Sequence, residues 1–416
     1  MRKRLFCFLL LALLMGGLLP VLAQEGITVT SNTYEYTFSE EIVFRLQAHS
    51  ESEIEEVTLF YKYGLKGAAN RRLPEFTPDR EIVVEHVERL QRGEIPPGSE
   101  IEYYWRIEDA AGHRLKTETV TFTYMDDRFD WQHLTQDKVT LYWYDADRAF
   151  GQRLLDSAVD SLARLEERVG VELEHPIKII VYQSKEDMME ALAFKGQVFE
   201  ALITTLGTVV APDIVLLHGT HAEVDRTIAH ELTHVVVGLA TENPYGDIPA
   251  WLNEGLAMYN EGDLRGGNRA ALEAAIRENR LHSIRSLTAH TGRPEEVNLW
   301  YGEAYSVVEF LIETYGKEKM AELLAVFKEG TPYDEALMRV YGFDQDGLDA
   351  RWRESLGLPP RGVEAPLATA TPEPREEPRV ERAPGGGVCC GGLVPVGLLV
   401  LLSGAMGLRR RLRAST

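Results

Sequence analysis

Cysteine is scarce in this 416-residue sequence. The three cysteines are Cys7, near the amino terminus, and the adjacent pair Cys389 and Cys390, near the carboxyl terminus. The long region between them has no intramolecular disulfide bond, so its folded domains must be stabilised by hydrophobic cores. The length and the 44% hydrophobic content allow two such domains.

Positively charged residues are also fewer than negatively charged ones. The chain has 44 Lys and Arg residues against 65 Asp and Glu residues, which gives a net charge of −21. A protein of this sign repels a phosphate backbone. We therefore expect no nucleic-acid partner.

Long uncharged apolar runs occur near the two ends. Residues 1–23 combine a basic start, an apolar run and a small residue at Ala23, which predicts a secretory signal peptide removed after Ala23. Residues 388–416 combine 21 uncharged residues with an arginine-rich tail. This pattern predicts a transmembrane segment with the preceding chain outside the cell. It also resembles a bacterial sorting tail that is cut, and both interpretations stay open.

Between these ends the composition divides the chain into three parts. Residues 24–125 alternate apolar and polar side chains, which predicts an immunoglobulin-like or fibronectin-like β-sandwich with Trp105 in its core. Its role is open between a spacer and a binding module. Residues 126–358 mix strand and helix patterns. Residues 359–387 hold seven prolines and few large apolar residues, which is typical of a disordered linker.

The strand and helix patterns of residues 126–358 predict an α+β domain. Strands at residues 139–144 and 177–182 flank an amphipathic helix at residues 150–169. Further helices are predicted at residues 268–279, 303–315 and 317–328.

The most informative stretch of the sequence is TIAHELTHVVVGL, residues 227–239. Apolar residues recur at helical spacing, and Thr220 and Glu223 match a capping box at the start of the helix. His230 and His234 are four residues apart, so both lie on one helix face, and Glu231 is close to them. This is the H-E-x-x-H arrangement of a zinc site.

A third ligand is expected on the next helix. Residues 247–259 have a helical apolar pattern, with Pro249 in the first turn. Glu254 lies among those apolar residues, where a carboxylate needs a partner such as a metal ion. Catalytic zinc takes three protein ligands and leaves one position open.

HELTH followed by WLNEGLA resembles the gluzincin metallopeptidases, the superfamily of thermolysin-like and aminopeptidase-N-like enzymes. The resemblance implies that His230, His234 and Glu254 bind one Zn²⁺ per chain and that Glu231 is the general base. It also implies a tyrosine that stabilises the oxyanion, for which Tyr301 is the first candidate and Tyr305 the alternative.

The same resemblance implies that a strand at residues 213–219 borders the substrate cleft, where an extended peptide would add to it by backbone hydrogen bonds, with His218 as a possible lining residue. The strand offers no glutamate to hold a free amino terminus, which favours an endopeptidase or a different recognition of the peptide end. Helix geometry places His221, nine residues before His230, on the opposite side of the helix, so it should lie on the surface. A carboxylate should support a histidine ligand, and the choice between Glu261 and Asp263 stays open.

Together these features predict a secreted zinc metallopeptidase on the outer side of a bacterial membrane. Its partners would be a peptide or protein substrate and, through the C-terminal segment, the membrane. The alternative is a surface binding protein that keeps the peptidase fold as an inactive scaffold.

Overall fold

A computed structural model describes residues 26–64, 67–193 and 206–361. The predicted signal peptide, the C-terminal segment and all but the first residues of the linker lie outside the described residues. No helix within those three ranges combines the length and apolar character that a bilayer crossing needs. The chain divides into two compact units, which are described separately.

The first unit is an all-β structure, as the alternating pattern predicted. Its described strand pairings are antiparallel. The strands are β1 (Ile27–Thr37), β2 (Glu41–Tyr63), β3 (Asn70–Arg72), β4 (Asp79–Arg89), β5 (Ser99–Asp109), β6 (Arg114–Lys116) and β7 (Val120–Tyr124).

Strand β2 joins the two halves of this unit. Its first half pairs with β1 and β4, and its second half pairs with β3 and β5. The register shifts between His49 and Ile54, where the strand passes from one half to the other. The seven strands therefore form one hydrogen-bonded sheet instead of the two separate sheets of a simple sandwich.

Aromatic side chains fill the space between the two halves. Phe44, from the first half of β2, lies 5.5 Å from Tyr61 and 4.9 Å from Tyr103, measured between ring centroids. Trp105 is fully buried, as expected. This contact between layers buries the inner face of each half.

The second unit contains a five-stranded mixed sheet in the order β11-β12-β10-β9-β8. The parallel strands β9 and β10 are connected through helix α1, which confirms the predicted strand-helix-strand arrangement. Both outer strands run antiparallel to their neighbours. The strands are β8 (Gln132–Gln136), β9 (Val139–Trp143), β10 (Ile177–Tyr182), β11 (Gly207–Ala211) and β12 (Ile214–His218).

Helices make up the rest of the second unit. The described ones are α1 (Arg148–Val169), α2 (Lys185–Glu190), α3 (Val224–Thr241), α4 (Ala250–Glu261), α5 (Gly266–Arg277), α6 (Val297–Tyr315), α7 (Lys317–Lys328), α8 (Tyr333–Tyr341) and α9 (Gln345–Ser355). The prediction for α7 is confirmed, but α6 begins six residues earlier than predicted. Helices α8 and α9 were not predicted.

Candidate metal centre

Helix α3 runs through the core of the second unit. It packs against α1, α4 and α7 and against strands β11 and β12. Every residue from Thr227 to Val237 is buried. A helix that is buried on all sides is normally apolar, so the polar side chains within this stretch must find partners inside the protein.

The predicted capping box at the start of α3 is wrong. The helix begins at Val224, and Glu223 caps it without a side-chain hydrogen bond. The Thr220 hydroxyl donates to the backbone carbonyl of Gln183 instead. The local turn is closed by His221, whose Nδ1 accepts a hydrogen bond from the backbone N–H of Glu223. His221, which was expected on the surface, is half-buried.

Helix α4 brings Glu254 to the same place. The carboxylate is 1% exposed, on a helix that packs closely on α3 and α6. Gly255 allows this approach, because a Cβ atom there would lie 2.4 Å from the backbone oxygen of Ala304 in α6. Gly255, which follows Glu254 in the NEG sequence, thus has a packing role: it allows α4 to lie close to α6.

The three predicted ligands converge. Nε2 of His230 and Nε2 of His234 are 3.1 Å apart. Oε2 of Glu254 lies 3.6 Å from the first nitrogen and 3.7 Å from the second. All three side chains are buried.

This triangle fits a zinc ion. Zinc binds imidazole nitrogen and carboxylate oxygen at about 2.0–2.2 Å, and tetrahedral geometry separates such ligand atoms by about 3.3 Å. The observed separations fall on both sides of that value. Two histidines and one glutamate are also a donor set that catalytic zinc uses.

Each candidate histidine ligand is oriented by a hydrogen bond on its Nδ1 atom. Nδ1 of His230 lies 2.7 Å from Oε1 of Glu261, and Nδ1 of His234 lies 3.0 Å from Oδ1 of Asn253. These contacts turn both Nε2 atoms toward the centre. The structure therefore selects Glu261 as the supporting carboxylate, whereas Asp263 is exposed.

The Glu261 carboxylate is held in turn by two arginines. Arg226 lies 3.2 Å and Arg265 lies 3.1 Å from its Oε2 atom. Burial raises the pKa of Glu261, but the hydrogen bond from His230 and the nearby positive charges outweigh burial and lower it. Glu261 is thus a fixed negative charge behind the first ligand.

The charges in the centre favour a cation. Burial lowers the pKa of His230, but Glu261 and Glu254 outweigh it and raise that pKa to about 9. Glu231 is also buried, and burial raises its pKa. The carboxylates of Glu231, Glu254 and Glu261 thus lie in the buried interior, where the dielectric constant is low and electrostatic interactions are strong.

Glu231 lies beside the edge of the sheet. A Cβ atom on Gly207, the first residue of β11, would lie 2.9 Å from Cγ of Glu231 and 2.6 Å from Cγ2 of Thr227. Only a residue without a side chain fits this approach. The Glu231 carboxylate interacts electrostatically with both candidate histidine ligands.

The two candidate tyrosines lie in different surroundings. Tyr301 lines a cavity of about 90 Å³ together with His230 and Glu261. Burial and the charges of Glu254, Glu231 and Glu261 raise the pKa of its phenol, so the hydroxyl keeps its proton. Tyr305 donates instead to Glu309. Tyr301 therefore lies beside the candidate ligand His230, whereas the hydroxyl of Tyr305 is bonded to Glu309.

The expectation that peptides add to the strand at residues 213–219 is wrong. The strand exists as β12, but it is hydrogen-bonded to β10 on one side and to β11 on the other. Among the described residues, β11 forms that edge of the sheet. His218, at the end of β12, lies with Nε2 3.0 Å from the Thr220 hydroxyl.

Sequence reasoning missed two residues of the centre. Asn253 directly precedes the candidate ligand Glu254, and its position in the NEG sequence could have indicated its role. His290 lies in the loop before α6, with Nε2 3.7 Å from Oε1 of Glu254. No periodic pattern or motif spacing points to a loop residue of this kind.

The described centre is a buried group of two histidines and one glutamate that could hold a metal ion. The sequence profile of the Peptidase MA superfamily matches residues 157–357, a range that includes every residue of the centre. Residues 157–357 are thus similar to the proteins of this superfamily. No curated protein matches the sequence at a significant level.

Several solved structures resemble parts of the chain. An M1 zinc metallopeptidase from Deinococcus radiodurans has 13% identity and a TM-score of 0.36; the match covers 82% of this chain and 97% of that one. A mutant of it, bound to a Tyr-Ser-Ala substrate, has 14% identity and a TM-score of 0.37, with coverages of 81% and 96%. OgpA from Akkermansia muciniphila has 8% identity and a TM-score of 0.19; the match covers 24% of this chain and 28% of OgpA.

Proposed function

We propose that this protein is a zinc metallopeptidase that hydrolyses peptide bonds in peptides or proteins. The observation that carries the proposal is the buried triangle of His230, His234 and Glu254, with its nitrogen and oxygen atoms 3.1–3.7 Å apart. Supporting contacts from Glu261 and Asn253 orient both histidines. A purely structural core has no need of such an arrangement.

A zinc ion held by these three residues would supply a Lewis acid that lowers the pKa of water and polarises a carbonyl group. Glu231 would act as the general base. It takes a proton from the attacking water, whose oxygen bonds to the carbonyl carbon, and passes that proton to the leaving nitrogen as the C–N bond breaks. Burial raises the pKa of Glu231, which suits a group that must both accept and return a proton.

Tyr301 is the proposed hydroxyl donor to the charge that develops on the carbonyl oxygen. Its location beside His230 supports this role, and its raised pKa keeps it protonated. Tyr305 is occupied by Glu309 and is the weaker choice.

The edge strand β11 is the proposed support for an extended substrate. An exposed strand edge pairs with a peptide through backbone hydrogen bonds. Gly207 lets this strand approach the helix that carries Glu231. A peptide on β11 would therefore lie near the proposed general base.

We also propose that the enzyme acts outside the cell, anchored by residues 388–416. Residues 1–23 support secretion by their signal-peptide pattern, and the arginine-rich tail supports retention of that end in the cytoplasm. Cell fractionation and determination of the mature amino terminus test this location. A cytoplasmic protein that retains residue 1 would contradict it.

The proposed activity is tested on the purified full-length protein with a peptide library and a zinc measurement. We expect about one zinc per chain, cleavage of library peptides, and loss of cleavage with retained zinc in Glu231→Gln. Asp225→Asn is the matched control, because Asp225 is an exposed acid on the same helix. Zinc without cleavage would favour the inactive scaffold, and absence of zinc would refute the metal centre.

A further inference from the structure

The outer face of the sheet in the first unit carries a groove. Successive side chains of a strand point to opposite faces of a sheet. Leu59 and Trp105 are fully buried, so their neighbours Phe60 and Arg106 lie on the outer face. The groove on this face has a volume of about 690 Å³. Cavities of about 300–1,000 Å³ hold ligands of drug size, so this groove is large enough for a short stretch of a polymer.

A pair of aromatic rings holds two cations at this groove. Phe60 on β2 lies directly opposite Tyr104 on β5, and their rings stack with centroids 5.0 Å apart at an interplanar angle of 11°. The guanidinium carbon of Arg106 lies 4.7 Å from the Phe60 centroid, and Nζ of Lys116 lies 4.1 Å from the Tyr104 centroid. Both distances are within the range of about 6 Å for a cation–π interaction. The rings therefore orient both positive groups before any ligand arrives.

The two cations held in this way differ from the other two in the groove. Arg71 and Arg114 also line it, and each forms an ion pair with a glutamate, at 3.6 and 2.9 Å. Among the residues that the structure describes, neither Arg106 nor Lys116 has a carboxylate partner. Both side chains are exposed. An anion from solvent can therefore reach two positive charges that no acidic side chain neutralises.

The sheet places these two charges side by side. Arg106 and Lys116 are directly opposite each other on β5 and β6. Like charges at opposite positions of neighbouring strands destabilise a sheet. The chain contains 65 acidic and 44 basic residues, so adjacent cations without an acidic partner run against its composition. A local cost of this kind is typical of a functional site, and an anionic ligand would remove it.

We propose that this groove binds an acidic polysaccharide, a chain of sugars that carry carboxylate groups. Arg106 donates paired N–H groups to one carboxylate, and Lys116 binds a carboxylate beside it as a point charge. Phe60 and Tyr104 are positioning residues that hold the two cations. The site lies within the first unit, and the inference does not depend on the proposed peptidase activity.

Other polyanions fit this surface less well. A peptide that docks on a sheet normally adds to a strand edge through backbone hydrogen bonds, but β5 is already bonded to β2 and β6 on its two sides. A net charge of −21 repels nucleic acid. Bases also stack on free aromatic faces, whereas Phe60 and Tyr104 stack on each other. A sugar carboxylate needs only the side-chain donors that this face offers.

Calorimetric titration of the full-length protein with a galacturonate hexamer tests this inference. We expect binding that weakens as salt is added, because the cations are exposed. Arg106→Gln and Lys116→Gln should each raise the Kd about tenfold or more, since each removes a charged donor. Tyr104→Leu should also raise the Kd, because Lys116 loses the ring that holds it. Tyr104→Phe keeps the ring and should bind the hexamer as the unmodified protein does.

The matched control is Arg45→Gln. Arg45 lies on the first half of β2, where it forms ion pairs with Glu35 at 2.6 Å and Glu85 at 2.8 Å, and it does not line the groove. Its substitution removes the same single charge as the test variants and should leave the Kd unchanged. A thermal unfolding curve of each variant shows whether the first unit is still folded.

Three results would overturn the inference. The first is no binding of the galacturonate hexamer by the unmodified protein. The second is an equal loss of affinity in Arg106→Gln, Lys116→Gln and Arg45→Gln, because net charge alone would then explain the binding. The third is equal or tighter binding of a hexaglutamate peptide or of the neutral glucose hexamer maltohexaose. None of these results affects the zinc centre, so the proposed peptidase function stands or falls separately.

Discussion

Nδ1 of His230 lies 2.7 Å from Oε1 of Glu261, a residue seven positions after the ligand Glu254. Position 258, one helical turn after that ligand, is Met258 and offers no carboxylate. Glu261 lies near the end of α4, two helical turns from Glu254, and reaches the centre from there. The second contact of His230 is thus supplied by the last residue of the helix that carries Glu254.

Removal of this carboxylate should weaken metal binding. We expect Glu261→Gln to lower zinc affinity about 10- to 100-fold, because His230 loses the charge that orients it and raises its basicity. Competition with a chromophoric chelator measures the effect. Asp263→Asn is the control, since that side chain is exposed and should leave the affinity unchanged. Equal zinc affinity in Glu261→Gln and the unmodified protein would contradict the assignment.

Zinc binding should depend on pH through His230. In the metal-free protein its pKa is about 9, so the imidazole carries a proton at neutral pH that zinc must displace. The affinity should therefore rise about tenfold per pH unit up to about pH 9 and then level off. Calorimetry in buffers of different ionisation enthalpy measures the released proton. A pH-independent affinity between pH 6 and pH 8 would be the contrary result.

The tyrosine assignment predicts a difference between two neighbouring variants. Tyr301→Phe should lower kcat about 100-fold with little change in KM, because the lost hydroxyl acts on the transition state. Tyr305→Phe should have little effect, since its hydroxyl bonds to Glu309. Steady-state kinetics on one cleaved library peptide measures both. The reverse ranking would exchange their roles.

A pair outside the centre should make stability depend on pH. The buried Glu303 accepts hydrogen bonds from the backbone N–H and from Nδ1 of His282, both at 2.7 Å. The hydrogen bond to Glu303 raises the pKa of His282 above its ordinary 6.5. This stabilisation is complete below about pH 6.5 and is lost as the pH rises through the raised value.

Urea unfolding of His282→Gln at several pH values checks this sign. The loss of stability relative to the unmodified protein should be largest near pH 6 and should shrink as the pH rises. His133→Gln is the control, and its effect should not change with pH in this way. A stability loss in His282→Gln that grows as the pH rises would contradict this prediction, because the pair of His282 and Glu303 would then stabilise the protein at high pH.

The approach of α4 to α6 should tolerate no side chain at position 255. Gly255→Ala places a Cβ atom 2.4 Å from the Ala304 oxygen, so we expect a loss of about 1–3 kcal/mol in unfolding free energy. Gly238→Ala is the control, because Gly238 is an exposed helical glycine with open space around its Cβ position. That variant should gain about 0.5–1 kcal/mol. Urea denaturation measures both.

Residues on regular elements could be placed from the sequence. The four-residue spacing of His230 and His234 fixes their common helix face, and the apolar pattern around Glu254 fixes its inward direction. Both depend on local geometry alone. The ends of helices and strands were harder to predict from the sequence, because they depend on contacts with residues far along the chain. Thr220, for example, donates its hydrogen bond to Gln183 and not to its own helix.

Residues that depend on tertiary packing could not be placed. His290 reaches the centre because Trp300 holds its loop, a contact without a sequence signature. Strand β11 was not predicted, so the edge of the sheet was assigned to β12. The change of partner strands along β2, where the register shifts between His49 and Ile54, also depends on tertiary packing.

Because α3 belongs both to the hydrophobic core of the second unit and to the metal centre, the two are thermodynamically linked. An ion that binds only the folded form at 1,000 times its dissociation constant adds about 4 kcal/mol to the folding equilibrium. Removal of the ion by a chelator would then do more than abolish the proposed activity. It would shift molecules toward open forms that proteases degrade, so the supply of zinc would set how long this protein persists.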